Sequence, residues 1–576
     1  MGTLATLFAP QRVAVVGATD RDGSVGDAVF QNLLADFDGE VIPVNPSKAT
    51  LAERTCYDSV TDIEPVDVAV VVVPAAVAVE AVREAGEHGI ENVVVITAGF
   101  SESGSEGARR ERELIDIATE YDLNLVGPNC VGIMSTGVGL NATFAPINAN
   151  PGEVSFMSQS GAFITAVLDW ADDRDIGFKD VVSLGNKAVL DESDFIREWR
   201  DDPVTEVVLG YLEDIDDGRE FMETAREVTQ DIPVVVVKSG RTEAGASAAA
   251  SHTGAIAGSD RAYEAGLEQA GVIRAESVQE LFDTASVLAG QPLPDSGEIA
   301  IVTNAGGPGV MATDAVGDSS LTLASFHDDT LEELKDGLPE GANIYNPVDI
   351  IGDASAERFE RTIDAVLADP NVGMAIVLAC PTATLSFDEL AERTTRLQQT
   401  HDTPIAGVLM GGTSAQSARE TFSDAGIPSY FDPARAVDSL DRLLEYAAIS
   451  DREYSAPETF EVDEQRVDAV LSRAAEHGTT RLGVEAMELL EAYGIPTPAG
   501  EVVDDPQEAQ AVASDIGGDV VLKIVSPDIL HKSDIGGVEV GVSPDAVWDT
   551  YEDLVARARQ YQPDATILGV QVQEML

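Results

Sequence analysis

The sequence predicts an α/β chain of several domains with largely parallel sheets, on three observations. Short, fully apolar runs alternate with helical stretches, the pattern of strands covered on both faces. That β-α grammar restarts along the chain. The 576 residues, at roughly 150 per domain, make room for about four domains. Hydrophobic residues at 44% and charged residues at 24% supply packed cores rather than a disordered chain.

The first block places strands at 13–16, 41–44, 66–73, 92–97 and 123–126, with a helix from the Gly17-Ala18-Thr19 turn to residue 34. Its predicted form is Rossmann-like, over residues 1–140. The second block, 150–292, has strands at 153–157, 180–183, 207–211 and 233–238, and ends before the linker-like QPLPDSG of 291–297. The third, 297–450, repeats the grammar with strands at 298–303, 375–378 and 405–410. An acidic, proline-containing stretch at 450–464 closes it. Blocks two and three read as flavodoxin-like. The last block, 465–576, opens with an amphipathic helix at 483–493, then GIPTP at 494–498 and strands at 520–524 and 566–573.

Charge narrows the function classes. There are 102 Asp and Glu against 35 Lys and Arg, a formal net charge of −67, and only seven of the basic residues are lysine. Such a surface repels nucleic acid and anionic membranes, which removes both as partners. It would repel phosphate-bearing ligands too unless salt screens it, and at molar ionic strength the Debye length falls to about 3 Å. The charge therefore describes a high-salt cytosol rather than a substrate. Cys56, Cys130 and Cys380 lie far apart and in no CxxC pair, against a disulfide framework or a zinc site. The N-terminus lacks a signal-peptide core, and the longest apolar run, 68–79, is broken by Pro74 and too short to span a bilayer. The expected location is cytoplasmic.

A set of short motifs carries the chemistry. VAVVGAT at 13–19 and SVG at 24–26 put small residues in a strand-to-helix turn, where a backbone can approach an anion and a helix N-terminus offers free N–H groups. This is not GxGxxG, and VNPSK at 44–48 replaces the acidic residue that would hold a ribose, which points away from NAD to another nucleotide ligand. Lys48, the one lysine in the first 150 residues, fits a phosphate contact; the alternative is a turn without a ligand. SQSGA at 158–162 and NAGGPG at 304–309 follow strands and open helices, each suited to a phosphate group or to plain scaffolding. SHTGAIAG at 251–258 sets His252, one of six histidines, in a small-residue loop where an imidazole can serve as base, phosphoryl acceptor or, least well, metal ligand. VLKIVSP at 521–527 buries Lys523 in an apolar strand, costly unless an anion meets it. ILHKSDIGGV at 529–538 brings His531 and Lys532 to a Gly-Gly loop.

In combination these motifs resemble the NDP-forming acyl-CoA synthetases (ADP-forming acetyl-CoA synthetase), relatives of succinyl-CoA synthetase, over essentially the whole chain. The resemblance implies a Rossmann-like CoA-binding domain, two flavodoxin-like ligase domains and part of an ATP-grasp domain. It implies reversible conversion of acyl-CoA, ADP and phosphate to acid, ATP and CoA, with magnesium. Gly17, Ala18, Ser24, Val25, Gly26, Asn45, Pro46, Lys48, Val73 and Pro74 match the family's CoA pocket. His252 matches the histidine that takes the phosphoryl group from an acyl phosphate, and Glu213 the carboxylate that orients it. Ser160, Gly161, Gly306, Gly307 and Gly309 match the helix N-termini that hold the phosphohistidine. Lys523 would contact ATP phosphates, His531 would relay the phosphoryl group, and Glu574 falls in the segment beside the adenine. Later magnesium-binding carboxylates of an ATP-grasp domain do not appear before Leu576, so the expectation is that the given sequence is cut short or that a second chain completes that domain, with nucleotide turnover impaired as it stands; a homo-oligomer is expected besides. Two rivals are a succinate-specific ligase, against which the fused domain order speaks, and a CoA-binding regulatory protein, against which the His252 and Glu213 pair speaks. If the charge is an adaptation to brine, acyl-CoA turnover rises with KCl up to molar concentration; an optimum at low salt would contradict that reading.

Overall fold

The computed structural model describes residues 4–172, 174, 176–242, 245, 260–454, 460, 462–476, 485–529 and 531–575. They form two compact units, Met1–Tyr454 and Ser455–Leu576.

The first sheet of the larger unit follows from runs such as Val68–Val71, every residue of which is fully buried. It comprises β1 (Arg12–Val16), β2 (Glu40–Val44), β3 (Val68–Val71), β4 (Asn92–Val95) and β5 (Asn124–Val126), all parallel, in the order β2-β1-β3-β4-β5. Helix α1 (Val25–Asp36) follows β1; the Ser24 hydroxyl caps it by accepting from the Asp27 amide at 3.3 Å. Helices α2 (Ala75–Glu87) and α3 (Ser105–Tyr121) complete the layer.

The second sheet has seven strands. They are β6 (Gly132–Ser135), β7 (Leu140–Thr143), β8 (Pro151–Ser158), β9 (Phe178–Ser183), β10 (Val207–Leu212), β11 (Val234–Lys238) and β12 (Ile273–Ala275), in the order β12-β11-β10-β8-β9-β6-β7. Strands β8 to β12 pair in parallel. The β6–β7 hairpin is antiparallel and joins the edge of this sheet through β9, although it belongs in sequence to the block ending at 140. The sequence reading lacks this hairpin. Its strands are four residues each and buried throughout, so they show no period-2 alternation. Helices α4 (Gly161–Asp172), α5 (Glu192–Arg200) and α6 (Val278–Gly290) belong to this layer.

The third sheet is parallel, built on β13 (Glu298–Thr303), β14 (Thr322–Leu323), β15 (Val348–Asp349), β16 (Met374–Ala379), β17 (Ile405–Leu409) and β18 (Ser429–Tyr430). Its order is β14-β13-β16-β17-β18, with β15 also pairing β13. Helices α7 (Gly306–Asp318) and α8 (Pro433–Ser450) flank it.

The three sheets share cores, which is why they behave as one unit. Val15, Phe30 and Val70 of the first layer pack in one cluster with Met157, Phe195 and Trp199 of the second. Phe156 and Phe282 of the second layer share another cluster with Ile301, Ile376 and Leu440 of the third. At the second joint the backbones nearly touch. A Cβ on Gly290 would lie 2.2 Å from the Gly426 carbonyl, and the Gln291 side chain donates to that carbonyl at 2.6 Å and accepts from the Ile405 amide at 2.7 Å.

The smaller unit is antiparallel: β19 (Gly500–Val503), β20 (Val520–Val525), β21 (Val538–Val542) and β22 (Gly569–Glu574) in the order β19-β22-β20-β21. Helices α9 (Pro506–Ile516) and α10 (Val547–Tyr561) share its core through Ala509, Ala513, Tyr551 and Leu554. Among the described residues no helix is long and apolar enough to cross a membrane.

Candidate functional site

A cleft of about 1260 Å³ opens between the first and second layers of the larger unit. One wall is the turn after β1 and the start of α1. Gly17, at φ +101°, donates its amide to the Val44 carbonyl at 2.8 Å, and a Cβ there would meet Val73 at 2.9 Å. A Cβ on Gly26 would fall 2.4 Å from the Gly17 carbonyl, so only glycine lets α1 come this close to the turn. Asn45 locks the turn from the side by donating to the Ala18 carbonyl at 2.8 Å. The opposite wall is the turn between β8 and α4. The Ser158 hydroxyl accepts from the Ser160 amide at 3.1 Å and donates to its carbonyl at 2.9 Å, which leaves the α4 N-terminus aimed into the cleft.

The cleft gathers much of what the sequence singled out. Gly17, Ser24, Val25, Gly26, Val73, Pro74, Ser160, Gly161 and Glu213 all line it. Asn45 and Pro46 line a neighbouring cavity of about 380 Å³ that shares Gly17, Val73 and Pro74. Ala18 is fully buried behind the turn. Lys48 lies outside the linings of both cavities and pairs with Asp20, whose carboxyl it holds below the ordinary range through that hydrogen bond. Gly306, Gly307 and Gly309 open α7, where Thr303 pins Ala305 as Ser158 pins Ser160, at 3.0 and 3.1 Å; they are not among the residues lining the cleft. His252 lies outside the described residues.

Sequence reasoning missed the residues that tie the floor together. Gln159 receives the Asp214 amide at 3.0 Å and, in a shorter bond, the Glu213 amide; its own amide donates to Asp214 Oδ1 at 2.5 Å. Lys187 contacts Asp214 Oδ1 at 3.0 Å, Glu192 Oε2 at 3.2 Å and Asp216 at 3.7 Å. Burial alone would raise the Asp214 carboxyl, but Lys187 and Gln159 hold it below the ordinary range. Burial likewise works against the Lys187 ammonium, and the three carboxylates more than restore it. Glu192, 1% exposed, goes the other way: burial raises it to about 7 despite Lys187. Across the cleft, Asn186 donates to Glu102 at 2.8 Å and to Glu111 at 2.7 Å. The scarcity of lysine was the signal that could have drawn attention to Lys187.

In the smaller unit the HKSDIGG segment is held against β20, with the Gly537 amide on the Lys532 carbonyl at 2.7 Å and the Ile524 amide on the Gly537 carbonyl at 2.9 Å. From α10, Arg557 donates to the Gly536 carbonyl at 2.6 Å. Lys523 donates to Gln573 at 3.1 Å. Burial and the charge of Lys523 hold the Lys532 ammonium below its ordinary value. Neither lysine makes an ion pair among the described residues, and Lys523 lies close enough for its charge to act on Lys532. His531 is exposed at the start of the segment, and Glu574 accepts from the Ala499 amide at 3.1 Å.

Comparison with known proteins settles the family. The chain is 43% identical over 572 residues to an ADP-forming acetate–CoA ligase I of Archaeoglobus fulgidus, covering 99% of this chain and 82% of the relative. The chain belongs to the ADP-forming acyl-CoA synthetase family. Another member, an ADP-forming 4-hydroxybutyrate–CoA ligase of Nitrosopumilus maritimus, is 38% identical, with 99% of this chain and 82% of that protein covered. Family models match in succession: a CoA binding domain at 11–136, a succinyl-CoA ligase like flavodoxin domain at 151–288, a ligase-CoA domain at 299–443 and an ATP-grasp domain at 473–576. Among solved structures, an acetyl-coenzyme A synthetase 1 of Ca. Korarchaeum cryptofilum, in complex with phosphate and ADP, matches 78% of this chain and 98% of its own at 36% identity and a TM-score of 0.75.

The Glu192 carboxyl gives this synthetase fold a pH signature. A carboxyl raised by folding adds stability below its unfolded value of 4.5 that is lost as pH climbs through about 7. Urea unfolding in molar KCl should therefore show wild-type stability falling across that window relative to Glu192→Gln; parallel pH curves would contradict it.

Proposed function

We propose that the chain works as an ADP-forming acyl-CoA synthetase, converting acyl-CoA, ADP and phosphate reversibly into free acid, ATP and CoA, with acetyl-CoA as a substrate. Identity of 43% to an acetate–CoA ligase over nearly the whole chain supports the reaction and the acid. The observation that carries the reading is the cleft: glycine-tightened turn, α4 N-terminus and Glu213 face one space. In domain terms we assign CoA binding to 1–140, the two ligase domains to 150–292 and 297–450, and the N-terminal part of an ATP-grasp domain to 465–576, and the four matched segments support that division.

CoA would lie along the β1–α1 turn, its phosphates on the α1 N-terminus and its thioester toward Gly161. Phosphate oxygen attacks the thioester carbonyl, the C–S bond breaks, and CoA leaves as its thiol, giving an acyl phosphate. A ring nitrogen of His252 attacks the phosphorus, the P–O bond to the acyl carboxylate breaks, and the acid is released. Glu213 accepts from the other ring nitrogen and supports the charge that forms. The N–H groups at Ser160 and Gly161 stabilise the transferring oxygens without reorganising, and we assign Gly306, Gly307 and Gly309 the same task. The phosphoryl group then passes by way of His531 to ADP, whose phosphates the Lys523 and Lys532 pair would hold. That cation pair, which forms no ion pair among the described residues, supports a polyphosphate site in a chain of charge −67. The same charge supports a cytoplasm of high salt as its setting. For the magnesium that the family implies, no group of three His, Cys, Asp or Glu side chains among the described residues could hold an ion. Magnesium on a nucleotide takes one or two carboxylates beside the phosphates and needs no such group.

Incubation with labelled phosphate and acetyl-CoA should place acid-labile, base-stable phosphate on the protein, and His252→Ala should lose both label and turnover. Label retained in the variant would overturn the histidine assignment; no label on the wild-type chain would favour a binding protein without catalysis.

A further inference from the structure

Of the seven lysines, two are buried among the described residues, Lys187 and Lys238, each 8% exposed, and both act on the Asp214 carboxylate. Lys238 leans on the Tyr263 ring at 4.2 Å and donates to the Ser239 carbonyl at 2.6 Å. Lys187 is bound more closely. Its backbone sits at φ +53°, a left-handed conformation a non-glycine residue adopts only when its surroundings enforce it. Its ammonium reaches the Asp214 side chain at 3.0 Å and the Asp214 carbonyl at 3.2 Å, so it grips both ends of one residue. A cation removed from water at this depth is costly unless its partners hold it, and Glu192 at 3.2 Å completes the set.

The consequence lies one bond further on. Asp214 Oδ1 is shared by Lys187 and by the Gln159 amide, and the carbonyl oxygen of that same Gln159 side chain holds the Glu213 backbone amide. Gln159 in turn sits between Ser158 and Ser160 in the turn that opens α4. One side-chain amide thus sets the spacing between Glu213 and the α4 N-terminus, and Lys187 fixes that amide through Asp214. We propose that Lys187 is a positioning residue for phosphoryl transfer, setting where Glu213 stands relative to the N–H groups that hold the transferring oxygens. The inference rests on the reading that Glu213 orients the phosphorylated imidazole. It assigns Lys187 no contact with CoA or phosphate.

Single-turnover labelling with phosphate and acetyl-CoA, alongside a CoA titration, tests it on the full chain in molar KCl. Misplacing a reacting pair by about 1 Å costs on the order of 10²-fold. Lys187→Met should slow labelling by about that factor and leave CoA affinity within about twofold, while Lys187→Arg, which keeps the charge, recovers at least about tenfold of the loss. Asp214→Asn, which spares Lys187 its pairing with Glu192, should give the same slow labelling with normal CoA binding. The proposal is overturned if Lys187→Met labels at the wild-type rate. It is equally overturned if Lys187→Met and Asp214→Asn lose labelling and CoA binding in parallel, the mark of a merely structural ion pair. Absence of label on the wild-type chain would instead overturn the phosphohistidine reading itself.

Discussion

A chain with a net charge of −67 has few side-chain cations to set against a polyanion, so its backbone must supply much of the positive field. The cleft makes the constraint visible. Its described lining carries five carboxylates, Glu102, Glu111, Glu213, Asp214 and Asp216, against two cations, Arg21 and Lys187, and the Lys187 charge is already committed to three carboxylates. What remains beside Arg21 is the N–H groups of two helix starts, each equivalent to roughly half a positive charge. For those donors to reach a ligand the backbone must come unusually close, hence glycine at 17, 26 and 161, where a Cβ would meet Val73, the Gly17 carbonyl and Val131 at 2.9, 2.4 and 2.6 Å.

Such a site works only if its two walls keep their spacing. The walls belong to different sheets, and the cluster joining Val15 and Phe30 to Met157 and Trp199 makes them one packed body. Close-packed interiors transmit displacement rather than absorb it. The Gln159, Asp214 and Lys187 network does at the floor what that core does behind the walls. The smaller unit meets the same electrostatic problem differently, with the Lys523 and Lys532 pair in place of helix starts.

Much of the fold was legible because parallel strands covered on both faces leave uninterrupted apolar runs, as at residues 68–71, with turns between them. The β6–β7 hairpin was not, since two four-residue strands buried on both faces carry no periodicity, and β6 finds its sheet partner only at β9, with Ser135 opposite Asp180. In the cleft, the turns that carry Gly17, Ser24, Gly26, Ser160 and Gly161 could be read from motif spacing, while their proposed roles rest on the family resemblance. Lys48 could not be judged that way: nothing in VNPSK announces Asp20 as its partner. Gln159 stood inside the SQSGA motif and Asp214 beside Glu213, yet both went unassigned, because their pairing spans 55 residues and exists only once β8 and β10 lie side by side.

The central claim is that the thioester reacts in the cleft between the first two layers, held by helix starts rather than by side-chain cations. A crystal structure of the chain with CoA and phosphate in molar KCl tests this most directly. The expected result places the CoA phosphates at the α1 N-terminus beside Ser24 and Gly26, with the thiol end within reach of Ser160 and Gly161. CoA bound outside the cleft, or held there chiefly by arginine and lysine side chains, would contradict it.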